Sequence, residues 1–375
     1  MSLEVLKYLE SNTYEDLENE FSIIHGDYED YAILNYTLNS PKLHPIVREC
    51  RSLILHKSTK EIFARGFDRF FEYKEDPYVD YSKISMSTTV CLEKIDGSLV
   101  LVWWNPIIKE WTCSTRTKIF AEGPVFGQES EGTTFKNLID EAFENRNIND
   151  IFKNEDKNKT YILELVSPKS KLIKLYKNTK LYLIGIRDKH TGLEEIKINN
   201  LIETAIRLGV EIPKQYNFNK LEDVFFKLSN LDVMDEGMVL TTVIDGETVK
   251  IKLKTDTYKK LFKMYNNGNF SNSVLIQAVW YENELYENRK YFPEIESKIQ
   301  SIEKAKEKFI ENLNNMLTKY SHIEDQKEFA LAIEHSPLKS FLFKLRNGVK
   351  LKEIMDNTKN KTAVNMLELF LNMKE

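Results

Sequence analysis

The strongest constraint on the fold is where glycine stops. The chain holds 13 glycines, and after Gly268 only Gly348 remains, with Pro293 and Pro337 the only prolines in that stretch. A long segment almost free of backbone breakers favours helix. Within it Ile295, Ile299, Ile302, Phe309, Leu313 and Met316 recur at helical spacing, while Lys304 and Lys308 fall on the opposite face. Residues 263–375 are therefore expected to form a small all-α domain. A chain of 375 residues is too long for one ordinary core, so residues 1–262 form a second domain of different character.

That first part alternates short β-prone runs with loops. Strand candidates are "RSLILH" (51–56), "EIFARGF" (61–67), "LVLVWW" (99–104), "WTCSTRT" (111–117), "YILELV" (161–166), "LYLIGIR" (181–187), "GMVLTTV" (237–243) and "TVKIKLK" (248–254). Helices are predicted over 131–145 and 200–208. Many short strands with interspersed helices define an α+β domain of mainly antiparallel sheets.

Charge and cysteine content exclude some function classes. A net charge of −5 rules out a globally basic nucleic-acid coat and leaves room for a local basic groove. Cys50, Cys91 and Cys113 share no metal-type spacing, and the six histidines form no HExxH. The odd cysteine count, with no secretory leader at the start, predicts a reduced, cytoplasmic setting (the host-cell cytosol for a viral source). No apolar run approaches the roughly 18 residues of a membrane span.

The stretch "TTVCLEKIDGSLVLVWW", Thr88 to Trp104, carries the chemistry. Asp96-Gly97 between two β-prone runs predicts a hairpin, and Lys94 just before it is either a turn lysine or a nucleophile on rigid backbone. Downstream, "YILELV" sets Glu164 in an apolar strand, opposite in direction to Leu163 and Leu165. "MDEGMVL" puts Glu236-Gly237 at the start of another strand, and "VKIKLKTD" aligns Lys250, Lys252 and Lys254 on one strand face. "ECRSLIL" and "DRFFEY" add Arg51 and Arg69. Each has an ordinary structural role available: a solvent-facing glutamate, an exposed lysine-rich edge, a simple turn.

Taken in order, these segments resemble the covalent nucleotidyltransferase superfamily of ATP-dependent RNA and DNA ligases and mRNA capping enzymes. The signature elements correspond to Lys94–Gly97, Glu164, the strand from Tyr182 to Arg187, Glu236–Val239 and Lys252–Lys254. More closely, "ECRSLIL", "RFFEYKEDP", "KIDGSLV", "LELVSP", "KLYLIGIRDKHTG", "EGMVL" and "KLKTDTY" resemble the phage RNA ligase 1 family over about residues 30–260. DNA ligases and capping enzymes place an OB-fold after this region, and the helical tail from Tyr258 onward argues against both. A non-catalytic RNA-binding protein on the same scaffold is the other alternative, disfavoured because every charged signature position is filled.

The resemblance implies an adenylyltransferase domain over 1–262 and a helical RNA-specificity domain over 263–375. It implies a monomeric enzyme that joins 5′-phosphate and 3′-hydroxyl RNA ends, with nicked tRNA as the suggested substrate. The cofactors implied are ATP, through an AMP-lysine intermediate, and Mg²⁺, which Mn²⁺ can replace. Lys94 is then the nucleophile, and Arg51, Arg69, Lys252 and Lys254 contact nucleotide phosphates. Tyr36, Asp96, Gly97, Arg116 and Tyr182 line the nucleotide, Glu164 and Glu236 bind a ribose hydroxyl or metal, and Asp96 is a further candidate metal ligand. A free lysine with a pKa near 10.4 is a poor nucleophile, so the neighbouring Lys252, Lys254 and Arg51 are expected to disfavour the ammonium of Lys94. A family lysine is replaced by Arg69, and a usual small residue after Arg116 is Thr117.

Overall fold

The strands of the computed structural model, in chain order, are β1 (Ile23–Asp27), β2 (Tyr31–Tyr36), β3 (Arg51–His56), β4 (Ile62–Arg65), β5 (Phe71–Glu72), β6 (Val90–Lys94) and β7 (Ser98–Asn105). They continue with β8 (Glu110–Thr115), β9 (Lys159–Val166), β10 (Lys180–Asp188), β11 (Gln215–Tyr216), β12 (Gly237–Ile244) and β13 (Glu247–Lys254). The structure describes residues 3–125, 132–170, 172–265 and 270–357. The chain divides into two compact units, with the boundary between Phe262 and Lys263.

Three sheets build the first unit, ordered β1-β2-β3-β4, β10-β9-β7-β8 and β11-β6-β12-β13-β5. Pairing is antiparallel except for the short parallel contact of β5 with β13. The fold is thus α+β with mainly antiparallel sheets and flanking helices. Period-two alternation decides the layers. In β7, Leu99, Leu101 and Trp103 join Ile33, Ile54 and Phe63 in the core between the first two sheets. Val100 and Val102 turn the other way, toward Leu138, Ile139, Leu201 and Leu208 of the helices Phe135–Ala142 and Ile198–Leu208. In the third sheet Met238, Leu240, Ile251 and Leu253 pack on Val224 of the helix Leu221–Ser229. The opposite face of that sheet carries the lysines.

The helix expected over 131–145 occupies Phe135–Ala142, and its expected first residue, 131, lies outside the described residues. In the second unit the helix Glu296–Lys319 buries Ile299, Ile302, Phe309 and Leu313, with Met316 half-buried and Lys304 and Lys308 exposed. Ile295 is buried in the turn before it.

The hairpin expected at Asp96-Gly97 does not form. β6 belongs to the third sheet and β7 to the second, so residues 95–97 cross between sheets. Gly97 answers close approach: a Cβ there would lie 2.4 Å from the Leu165 carbonyl oxygen. A local Asp-Gly signal cannot separate a turn within one sheet from a passage between two.

Candidate active site

The central strand of the third sheet, β12, fixes Lys94. Gly237 pairs with Lys94 of β6 on one side and with Lys254 of β13 on the other. Glu236, one residue earlier, therefore lies between two lysines. Its Oε2 accepts from Lys94 Nζ at 2.7 Å and its Oε1 from Lys254 Nζ at 2.7 Å. The following position must be glycine, because φ is +145° and a Cβ would fall 1.8 Å from the Leu253 carbonyl oxygen. The Glu-Gly pair thus reads physically as a carboxylate aimed by a backbone that only glycine adopts.

The three lysines of β13 share a face and differ in partners. Lys250 is paired with Glu194 at 3.0 Å, away from Lys94, and Lys254 with Glu236. Lys252 has no ion-paired carboxylate among the described residues. It lies 4.9 Å from the Phe70 ring, and the Arg51 guanidinium lies 5.1 Å from the same ring. Burial, then the charges of Arg51, Lys94 and Lys254, pull the Lys252 ammonium down to about 8. Lys94 is handed a carboxylate and Lys252 is not.

A second cluster of cations gathers around Tyr36 of the first sheet. The Tyr36 ring lies between the guanidiniums of Arg69, 4.1 Å away, and Arg116, 4.8 Å away. Arg51 starts β3 and lies against the Tyr36 hydroxyl. Burial lowers the pKa of both Arg51 and Arg69. The buried Nη1 atoms of Arg51 and Arg69 have no hydrogen-bond acceptor among the described residues. Buried donors left unmade are costly, and an anionic oxygen would satisfy them.

Glu164 projects from β9 directly opposite Tyr182 of β10 and Leu99 of β7, so it shares a face with the half-buried Tyr182. Burial raises the Glu164 carboxyl to about 7; Lys94 opposes the shift, and Glu236 and Asp96 add to it. Asp96, 3% exposed, is fully engaged. Its Oδ2 accepts from the Ile173 and Lys174 amides at 3.0 and 2.8 Å, and its Oδ1 from the Tyr258 hydroxyl at 2.6 Å. The Asp96 amide donates to the Tyr176 hydroxyl at 3.2 Å. Lys174 is itself tied to Glu93 and Asp235.

Asp96, Glu164 and Glu236, the candidate metal ligands, differ in what holds them. No group of three or more histidine, cysteine, aspartate or glutamate side chains arranged to hold a metal occurs among the described residues. Asp96 is committed to the 95–97 crossing and Glu236 to two lysines; Glu164 alone has no hydrogen-bond donor on its carboxylate among the described residues. Sequence reasoning missed Phe70, Lys174, Tyr176 and Tyr258. Phe70 and Tyr258 lay in plain view, inside "RFFEY" and "KLKTDTY", but an aromatic in such a place reads first as core.

Lys94, its carboxylate and the cations near them form a site whose charge suits an anionic ligand. The chain belongs to the RNA ligase family, whose sequence profile matches residues 49–264. It is 26% identical over 365 residues to the "Putative bifunctional polynucleotide kinase/RNA ligase" of Autographa californica nuclear polyhedrosis virus, a match covering 92% of this chain and 50% of that one. It is 22% identical over 267 residues to the RNA ligase of Rhodothermus phage RM378, covering 57% and 60%. Among solved structures it is similar to an archaeal ATP-dependent RNA ligase, with a TM-score of 0.44, 11% identity and coverage of 75% and 69%. The chain spans about half the length of the curated relatives it matches. No helix among the described residues is long and apolar enough to cross a membrane.

Proposed function

We propose that the chain is an ATP-dependent RNA ligase that joins a 5′-phosphate to a 3′-hydroxyl through a lysyl-AMP on Lys94. The observation that carries this reading is the pairing of Lys94 Nζ with Glu236 at 2.7 Å, in the same unit as Arg51 and Arg69, whose buried Nη1 donors lack acceptors among the described residues. Lys94 attacks the α-phosphorus, pyrophosphate leaves, and Glu236 is the base already bonded to Nζ. Arg51, Arg69, Lys252 and Lys254 bind the phosphates and stabilise charge as it develops on them. An RNA 5′-phosphate then takes AMP from the lysine, and a 3′-hydroxyl displaces the AMP. Tyr36, Arg116, Gly97 and Tyr182 line the nucleotide in this reading, and Asp96 holds the nucleophile's backbone.

Glu164 is the hard carboxylate that would hold a Mg²⁺ or Mn²⁺ ion, which would neutralise phosphate charge. The helical unit is proposed to select the RNA, with nicked tRNA as the substrate. Exposed Lys304, Lys308, Lys339, Lys344 and Lys350 supply phosphate contacts; the side chain of Lys352 lies outside the described residues. The enzyme is proposed to act as a monomer in the cytoplasm, that of a host cell for a viral source. Equal joining rates on nicked tRNA and on a plain oligonucleotide would remove the tRNA assignment.

The test is incubation with α-labelled ATP and Mg²⁺ after pyrophosphate treatment, followed by denaturing electrophoresis. Label should stay on the wild type and be absent from Lys94→Ala at unchanged folding. An unlabelled wild type would leave RNA binding without catalysis as the better account.

A further inference from the structure

The direction of Arg51 depends on an irregularity in its strand. β2 and β3 pair Leu34 with Leu53, and then Asn35 with Arg51, so Ser52 is an extra residue in the ladder. Strict alternation would put Arg51 on the face of Leu53 and Leu55, which is packed against Val5 and Leu17. One inserted residue moves it to the face of Ile54 and Ile33, toward the second sheet. Ser52 takes this role at φ +59° while wholly buried, a left-handed conformation in a residue that is not glycine. Such a conformation persists only where its surroundings impose it.

What imposes it is Asn35, 2% exposed. Its Oδ1 accepts from the Ser52 amide at 3.0 Å, and its Nδ2 donates to the Arg116 carbonyl at 2.7 Å. The Ser52 hydroxyl donates to the same carbonyl at 3.2 Å. Backbone partners of opposite polarity fix the orientation of the amide. Arg116, anchored by its carbonyl, lays its guanidinium 4.8 Å from the Tyr36 ring and donates from Nη2 to the Tyr36 carbonyl at 3.5 Å. One buried side chain thus governs two cleft cations: Arg51 through the bulge and Arg116 through its carbonyl.

We propose that Asn35 is a positioning residue for nucleotide binding, acting through the Ser52 bulge to aim Arg51 and through the Arg116 carbonyl to aim Arg116. The proposal rests on the ligase reading given above. Asn35 is sealed from the cleft, so its whole effect passes through those two arginines. A double-mutant cycle separates this from a merely structural role.

The experiment measures Lys94 labelling against ATP concentration. Asn35→Ala should raise the half-saturating ATP concentration about tenfold and add nothing further in an Arg51→Ala, Arg116→Ala background. Ser52→Gly keeps the left-handed backbone and the Asn35 contact and removes only the hydroxyl on the Arg116 carbonyl, so its shift should be smaller than that of Asn35→Ala and absent in the Arg116→Ala background. A wild-type response from Asn35→Ala, or a loss that adds in full to that of the arginine variants, would overturn the proposal. If Asn35→Ala does not fold, a Ser52→Gly shift that adds in full to that of Arg116→Ala would do so. No label on the wild type would instead bring down the ligase reading, and this inference with it.

Discussion

The two units differ in what they bury. Every buried polar or charged side chain among the described residues, from Asn35 to Thr242, lies in the first unit; the buried side chains of the helical unit are apolar. Burying a polar group is unfavourable unless its partners are supplied. The first unit therefore keeps such groups where geometry is needed: Glu236 between two lysines, Asp96 under Tyr258, Asn35 against the Ser52 bulge. The helical unit is held by apolar packing of Phe309, Phe329, Phe341 and Leu342. In one half, position is defended by partners that cannot be exchanged. In the other, shape and volume suffice.

The contrast breaks first at Glu236. Replacing Glu236 with glutamine leaves two ammonium groups facing each other without their shared anion. Removing one partner of a buried ion pair costs about 3 kcal/mol, and adenylation should fall on the order of 100-fold. Label uptake and the denaturant midpoint check this together. Near-normal labelling would mean that Lys94 does not depend on the carboxylate at 2.7 Å. In the helical unit the equivalent insult is a cavity. Phe309→Ala, at a side chain 1% exposed, should cost that unit about 4 kcal/mol while adenylation at saturating ATP is unchanged. A single shared transition with lost labelling would erase the distinction between the halves.

A smaller effect is tied to pH and confined to the first unit. Burial holds the Glu164 carboxyl near 7 against an ordinary 4.5, so between those values the folded state carries more proton than the unfolded one. Stability should fall as pH rises from about 4.5 to about 7, and Glu164→Gln should remove that fall. Burial, with Arg51 beside it, holds Lys252 near 8 against 10.5, so there the folded state carries less proton and stability should rise with pH from about 8 to about 10.5. Phosphate binding needs the opposite form, the ammonium. Adenylation should therefore peak between about 7 and about 8, with Glu164 on the acid limb and Lys252 on the alkaline one. Lys252→Arg should move the alkaline limb upward; an unmoved limb would assign it to another group.

The same contrast governs what could be read from sequence. Helical periodicity from Ile299 to Leu313 was legible because the core there asks only for apolar residues at the right spacing. β3, β9 and β12 were legible as apolar runs, and Lys94, Glu236 and Lys254 as spaced charges. β1 was not, because "IIHGD" carries a histidine, a glycine and an aspartate within its five residues. Nor was the crossing at residues 95–97, since its Asp-Gly signal is local and the choice between sheets is made by tertiary pairing. The Ser52 bulge lies beyond alternation altogether: serine gives no hint of φ +59°, and without the bulge the pattern sends Arg51 to the wrong face. Partner choice failed for the same reason, with Lys252 and Lys254 two residues apart on one strand and opposite in ion pairing.

The smallest effect sharpens the comparison at the surface of the helical unit. Lys304 and Lys344 are exposed, on the helices Glu296–Lys319 and Lys339–Arg346, and no carboxylate is ion-paired with either among the described residues. Alanine at either position should leave the unfolding midpoint and Lys94 labelling unchanged, because neither side chain supports the packing beneath it. If these lysines contact RNA phosphates, each loss should reduce the slope of log affinity for nicked tRNA against log salt by about 1, because one fewer counterion is released. A slope that stays at its wild-type value in both variants would make this face a solvated surface. RNA choice would then have to be sought in the first unit, where charge is already held at fixed positions.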